Sequence, residues 1–183
     1  LGFSAPSFTI SQNVQGTLAL FEAANRHDGL ERFILQSSEE VYGYCPRLPI
    51  REEESLNPTN LYGASKMSQE ALGRAYHNSF DLPVTILRSS TIISAQMRKT
   101  QVIPIFISEA LRGEPLTIEG DGSQTRDFNP VENHVDAIVA ALTQPEISGQ
   151  VINVGSGTER SILQLAAECI QATGSKSVVS FRG

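Results

Sequence analysis

The 183 residues contain only two cysteines, Cys45 and Cys169. They are far apart and lack metal-ligand spacing, so neither a disulfide framework nor a zinc site is expected, and a reducing cytoplasm is the default compartment. Long hydrophobic runs are also missing. No apolar stretch approaches the ~20 residues that a helical membrane span needs, so no membrane anchor is implied. Positive charge is scarce, with 14 Lys and Arg against 20 Asp and Glu, a formal charge of -6 and a pI near 5.1. A nucleic-acid surface needs clustered cations to displace phosphate counterions, whereas a small anionic ligand needs only a few. No repeat or low-complexity tract is present. What is there, at 40% hydrophobic residues, suits a soluble globular fold.

Hydrophobic periodicity predicts alternating helices and strands. Helices are expected at 8–26, 60–80, 101–112, 132–143 and 161–173, the last opened by Ser161, and strands at 32–37, 83–89, 116–119 and 150–154. A Gly-rich turn falls at 120–123. This alternation reads as α/β with a parallel sheet. The segment from Tyr44 to Asn57, rich in Pro, Arg and Glu, reads as a surface loop near the site, free to move and with solvated charges.

Within this pattern Tyr62-Gly63-Ala64-Ser65-Lys66 sets a phenol and an ammonium four residues apart, on one face of a helix. A tyrosine titrates near ~10, and a neighbouring cation favours its phenolate. The pair therefore suits proton transfer, although both residue types are also common on solvated helices. Upstream, Arg32-Phe33-Ile34-Leu35-Gln36 reads as a buried strand opening into Ser37-Ser38-Glu39-Glu40. Ligands in open α/β sheets bind beyond the carboxyl ends of the strands, so these serines and glutamates can converge with Tyr62 and Lys66. Alternatively they form a turn that simply ends the strand.

The ordered series of motifs resembles the NAD-dependent epimerases and dehydratases of nucleotide sugars, which are extended short-chain dehydrogenase/reductases. The series runs from Asn13-Val14-Gln15-Gly16-Thr17-Leu18 through Ser37-Ser38-Glu39-Glu40-Val41-Tyr42-Gly43 to Tyr62-Gly63-Ala64-Ser65-Lys66. It continues with Val102-Ile103-Pro104, Gly113-Glu114-Pro115-Leu116-Thr117-Ile118, Gly120-Asp121-Gly122-Ser123-Gln124-Thr125-Arg126-Asp127-Phe128 and Asn153-Val154-Gly155-Ser156-Gly157. The family's Gly-rich pyrophosphate turn and its ribose-binding acid have no counterpart here. The expectation is a piece lacking on the order of 60 to 90 leading residues and the usual C-terminal portion. The resemblance implies a partial Rossmann-like sheet, with residues 1–95 belonging to the NAD-binding domain. Residues 96–183 would then belong mainly to a small nucleotide-sugar-binding region, with elements returning to the first.

For the site, the resemblance implies that Tyr62 takes the proton of the sugar C4 hydroxyl and Lys66 holds the nicotinamide ribose. Ser38 would bond the C4 oxygen, and Glu39 and Glu40 would act at C5 and C6. Asn13 falls where the family has an asparagine near the cofactor, or else is a turn residue at a helix start. Arg126 is expected to grip the substrate diphosphate, with an ion pair to Asp127 or Asp121 as the alternative. Gln101, Val102, Thr117, Ile118, Glu119 and Asn153 would line the nucleotide pocket, though core packing is the simpler reading for the apolar ones, and Thr91 would stand at the substrate phosphate. The cofactor is NAD, the partner a nucleotide-sugar, and a homodimer through helices 8–26 and 60–80 is expected, with no nucleic acid or membrane.

The chain departs from the family pattern at Thr91, where relatives carry Asn. It departs again at Leu61, Pro130 and Asn133, where Pro, Tyr and Asp are usual. The implied function is a sugar-nucleotide 4,6-dehydratase acting through a 4-keto intermediate, with a 4-epimerase or decarboxylase as alternatives. The departures also leave open a non-catalytic scaffold relative.

Overall fold

The computed structural model describes residues 5–183, which divide into two compact units. The first comprises the described residues up to Ser90 together with Glu132–Gly155. It begins with helix α1 (Pro6–Ile10), a π-helical turn (Ser11–Gln15) and helix α2 (Gly16–Asn25). Strand β1 (Phe33–Ser38) follows, then helix α3 (Leu61–Phe80) and strand β2 (Val84–Ser89). The chain re-enters this unit in helix α5 (Val131–Thr143) and ends there in strand β6 (Val151–Val154). The three strands form one parallel sheet in the order β1-β2-β6.

Strand β2 is buried along all six residues, as expected for a central parallel strand covered on both faces. Two apolar clusters lie on the sheet. Phe21, Leu35, Leu82, Val84 and Ile86 form one, in which Phe21 stacks on Phe33 and Tyr76. Leu87, Ala141 and Val154 form the other. Gly73 lets α3 lie close to the sheet, because a Cβ there would meet Leu35 and Phe21 at 3.3 Å.

The second unit comprises Thr91–Val131 and Ser156–Gly183. It holds strand β3 (Thr91–Ile93), helix α4 (Val102–Arg112), strands β4 (Leu116–Glu119) and β5 (Thr125–Pro130), strand β7 (Glu159–Ser161), helix α6 (Ile162–Thr173) and strand β8 (Val179–Arg182). β3 and β7 flank β5, and β4 pairs in parallel with β8. Helices α4 and α6 close its core over Phe106, Leu116, Ile118, Leu165 and Cys169. Gly113 and Gly174 end these helices in the left-handed conformation that glycine adopts without steric cost.

The long elements fall where periodicity puts them, and Ser161 opens α6 with a full capping box to Gln164. Four short strands, β3, β5, β7 and β8, were not expected. Their pairing partners are distant in sequence, and β7 has only three residues, too few for alternation to register. The helix expected at 8–26 is interrupted by the π-helical turn. The 44–57 loop is also better tied down than its composition suggests. Its Glu52 carboxylate accepts from Asn153 N at 2.9 Å, and its Glu52 carbonyl accepts from Arg88 at 3.0 Å.

Candidate active site

Tyr62 stands in the first turn of α3, whose N-cap is Asn60. The Asn60 side chain accepts from Gly63 N at 2.8 Å, satisfying one of the free N–H groups at the helix start. Its amide nitrogen donates to Glu40 Oε2 at 2.7 Å. One side chain thus fastens the helix that carries Tyr62 to the turn that follows β1. Gly63 is required for this approach, because a Cβ there would collide with the Glu40 carbonyl oxygen. On the other side of the turn, Ser38 Oγ caps the short helical turn Glu39–Val41 by accepting from Glu40 N at 3.3 Å.

Tyr62 is 42% exposed. Lys66 lies one turn on, with Nζ 5.8 Å from the Tyr62 ring centroid. It donates to the Gln36 carbonyl at 2.8 Å, which leaves other N–H directions of the ammonium for a ligand. Burial pushes the Lys66 pKa down, and the Glu70 carboxylate opposes that shift. Asn13 lies inside the π-helical turn rather than at a helix start, and such turns recur at functional sites. Its amide donates to Ser65 Oγ at 2.8 Å, and Ser65 in turn donates to the Tyr62 carbonyl at 2.7 Å. Gln69 adds bonds to the Asn13 carbonyl, at 2.8 Å, and to Thr17 Oγ1. The segment around Asn13 is therefore bolted to the tyrosine-lysine helix.

Beneath these residues lies a buried charge network that sequence reading missed. Arg88, at the end of β2, grips Glu70 of α3 in a bidentate pair, Nε to Oε1 at 2.9 Å and Nη2 to Oε2 at 2.6 Å. Both side chains are at most 1% exposed. Ser37 donates to Glu70 Oε1 at 2.5 Å, and Arg88 Nη1 donates to the Tyr42 hydroxyl at 2.7 Å. The Tyr42 hydroxyl donates to Asn153 Oδ1 at 2.7 Å, and Asn153 Nδ2 donates to the Ile50 carbonyl at 3.0 Å. Burial raises the Tyr42 pKa against the pull of Arg88, so Tyr42 is a hydrogen-bonded strut here. Two signals could have exposed the network. An arginine ending the apolar run Val84–Leu87 demands a partner, and Lys66 and Glu70 share a helix face.

Asn153, expected in the nucleotide pocket, has both polar side-chain atoms engaged in this network. In the second unit, Ile118 is 1% exposed inside the core and Val102 packs against it. Gln101 precedes α4 and accepts from Arg98 N at 3.0 Å. Thr117 Oγ1 lies 3.2 Å from Ser180 Oγ, and Glu119 pairs with Arg182 on the surface. Thr91 begins β3 and is half-buried. Arg126 is exposed on β5. The carboxylates considered as its partners are occupied: Asp127 accepts from Ser156 and Gly157, and Asp121 accepts from Ser123. Among the described residues, no group of His, Cys, Asp and Glu could hold a metal ion, and no helix is long and apolar enough to cross a membrane.

A family model described as the NAD dependent epimerase/dehydratase family matches residues 2–155. A low-salt glycan biosynthesis protein of Haloferax volcanii is 37% identical over 90% of this chain and 53% of its own length. A mouse dTDP-D-glucose 4,6-dehydratase is 37% identical over 87% of this chain and 44% of its own. Among solved structures, a UDP-glucuronic acid 4-epimerase from Bacillus cereus, in complex with UDP-glucuronic acid and NAD, superposes with a TM-score of 0.89. It is 34% identical over 94% of this chain and 55% of its own. The chain spans about half the length of the relatives it matches.

Proposed function

The chain belongs to the NAD dependent epimerase/dehydratase family, and from that premise we propose that the protein oxidises a nucleotide-sugar at C4 with NAD and eliminates water from the resulting 4-keto sugar. In this reading it is a 4,6-dehydratase. The observation that carries it is the pairing of Glu39 and Glu40 directly after Ser38, with Glu40 fixed by Asn60 at the start of the Tyr62 helix. Tyr62 takes the C4 hydroxyl proton and Ser38 bonds the C4 oxygen. Of the two carboxyl groups, one withdraws the C5 proton and the other donates to the departing C6 hydroxyl. When bound, NAD would supply the acceptor for the C4 hydride and would return it at C6 after water has left, while the carboxyl group that withdrew the C5 proton would give that proton back. The residues present fit this cofactor, since Lys66 has donors to spare for ribose hydroxyls and the segment around Asn13 is anchored to the same helix. The first unit would carry NAD and catalysis. The second would hold the nucleotide-sugar, with Arg126 and Thr91 at its diphosphate and Gln101, Thr117 and Glu119 toward the nucleotide.

A 4-epimerase acting on a UDP-sugar is the second reading, favoured by the likeness to the Bacillus cereus enzyme. We also propose a homodimer through α2 and α3, whose Leu20, Leu61 and Phe80 are 61%, 39% and 57% exposed. Incubation of the intact protein with dTDP-glucose and other hexose nucleotides tests the reaction. A 4-keto-6-deoxy product with alkaline ultraviolet absorbance is expected, and a C4-inverted sugar that keeps its C6 hydroxyl would replace the dehydratase by the epimerase. Tyr62→Phe should slow either reaction by about 100 to 10,000-fold while the protein stays folded. Wild-type turnover by that variant would remove Tyr62 from the mechanism.

A further inference from the structure

We propose that Arg160 joins Arg126 in gripping the substrate diphosphate, the two guanidinium groups forming one clamp on the paired strands β5 and β7. The inference rests on the nucleotide-sugar reading above. Its basis is the register of the antiparallel ladder, which sets Arg126 opposite Arg160 and Asp127 opposite Glu159. Side chains alternate between faces along each strand, so the ladder separates its charges, with both cations on one face and both carboxylates on the other. Residues directly opposite have Cβ atoms about 4.5–5.5 Å apart, and like charges there are destabilising.

The two faces resolve that repulsion differently. On the acidic face the chain supplies its own donors. Asp127 Oδ1 takes the N–H and hydroxyl of Ser156 at 3.0 and 2.7 Å, and Oδ2 takes Gly157 N at 2.9 Å. Glu159 Oε1 takes the Thr125 hydroxyl at 2.9 Å. On the basic face the compensation is incomplete. Arg160 Nε lies 3.3 Å from Glu168 Oε1, and its Nη1 donates to the Glu159 carbonyl at 3.1 Å. Arg126 donates to the Thr125 carbonyl at 3.0 Å. Of the two opposed guanidinium groups, Arg160 is thus paired with Glu168 and Arg126 has no carboxylate within ion-pair distance among the described residues. Both are exposed, and each planar fork matches the oxygens of a phosphate. A diphosphate, with its two adjacent anionic groups, supplies the charge that the face lacks and spans the spacing of a cross-strand pair.

The test compares binding of dTDP and UDP with dTMP and UMP by calorimetry on the intact protein and on Arg160→Ala, Arg160→Lys, Arg126→Ala and Glu168→Gln. Arg160→Ala is expected to weaken the diphosphate by roughly tenfold and the monophosphate far less, with Arg160→Lys recovering part of the loss. In turnover the loss should fall on KM and leave kcat nearly unchanged. Glu168→Gln removes the neighbouring ion pair but keeps the guanidinium, so it should bind the diphosphate within about twofold of wild type. Equal loss for diphosphate and monophosphate, or no loss at all, in Arg160→Ala would overturn the clamp. If Arg126→Ala still weakened the diphosphate in that case, the nucleotide-sugar reading would stand without Arg160. If the wild type bound none of these nucleotides, both would fall.

Discussion

Arg88 in the first unit and Arg126 in the second are both strand arginines, and their surroundings are opposite. Arg88 is buried with all three guanidinium nitrogens hydrogen-bonded, Nε and Nη2 to Glu70 and Nη1 to Tyr42 and the Glu52 carbonyl. Arg126 is exposed on a short ladder whose carboxylates bond elsewhere. The first is what a framework requires, because a buried charge is tolerated only when paired and hydrogen-bonded. The second is what a ligand-binding cation requires, a charge kept in water until an anion arrives. Both residue types look alike in the sequence, and only the company they keep separates support from recognition.

The largest effect that tests this contrast is expected on the buried side. Arg88→Met should cost about 3–5 kcal/mol of stability, because it strips the buried Glu70 carboxylate of its bidentate partner and leaves it only the half-exposed Arg74, 3.6 Å away, as an ion pair. Replacing both residues by apolar ones should recover much of that loss. Denaturant unfolding of the intact protein measures both, and a cost below ~1 kcal/mol for the single change would break the comparison. Arg126→Ala, by contrast, should leave stability nearly unchanged.

A second test uses a buried titratable group whose bond is to a neutral hydroxyl. His134 is 8% exposed, and its Nδ1 lies 2.9 Å from the Ser89 hydroxyl. Burial pushes its pKa below the ordinary 6.5. Between the lowered folded value and 6.5 the unfolded chain therefore binds more protons, so stability rises with pH in that window and is lost as pH falls through it. One such group contributes a slope of at most about 1.4 kcal/mol per pH unit. His134→Asn should flatten the stability profile below pH 6.5, and an unchanged profile would show that the acid sensitivity arises elsewhere.

How much of this was legible in advance follows the same division. The long helices and buried strands announce themselves through periodicity, and the Ser38, Tyr62 and Lys66 motifs sit on elements read correctly from local pattern. The strands β5 and β7 do not, because their pairing joins Thr125–Asp127 to Glu159–Ser161 across more than a helix of intervening chain. Arg126 was therefore noticed as a motif residue, while Arg160, its cross-strand neighbour, was not. Glu70, Tyr42 and Asn60 escaped for a related reason. Each acts through a partner on a different element, and a single sequence gives no register between elements. Asn153 was read from its motif alone, and its place in the Tyr42 network depends on β6 lying beside β2.

Asn60 joins the two kinds of site, since its oxygen caps α3 and its nitrogen holds Glu40. Asn60→Ala removes both bonds and should cost ~1 kcal/mol, the usual loss for an N-cap. Asn60→Ser keeps a capping oxygen but has no donor that reproduces the amide bond to Glu40, so its stability should fall by only a few tenths of a kcal/mol. If Glu40 must be oriented to act on the sugar, that small change should still lower kcat several-fold with KM nearly unchanged, because a misplaced reacting group weakens the transition state more than substrate binding. The measurement is unfolding and steady-state kinetics on the same two variants. Full kcat in Asn60→Ser would mean that the Glu40 bond serves the helix start alone, and Glu40 would then belong with Glu70 as framework rather than with Arg126, the group proposed to meet the ligand.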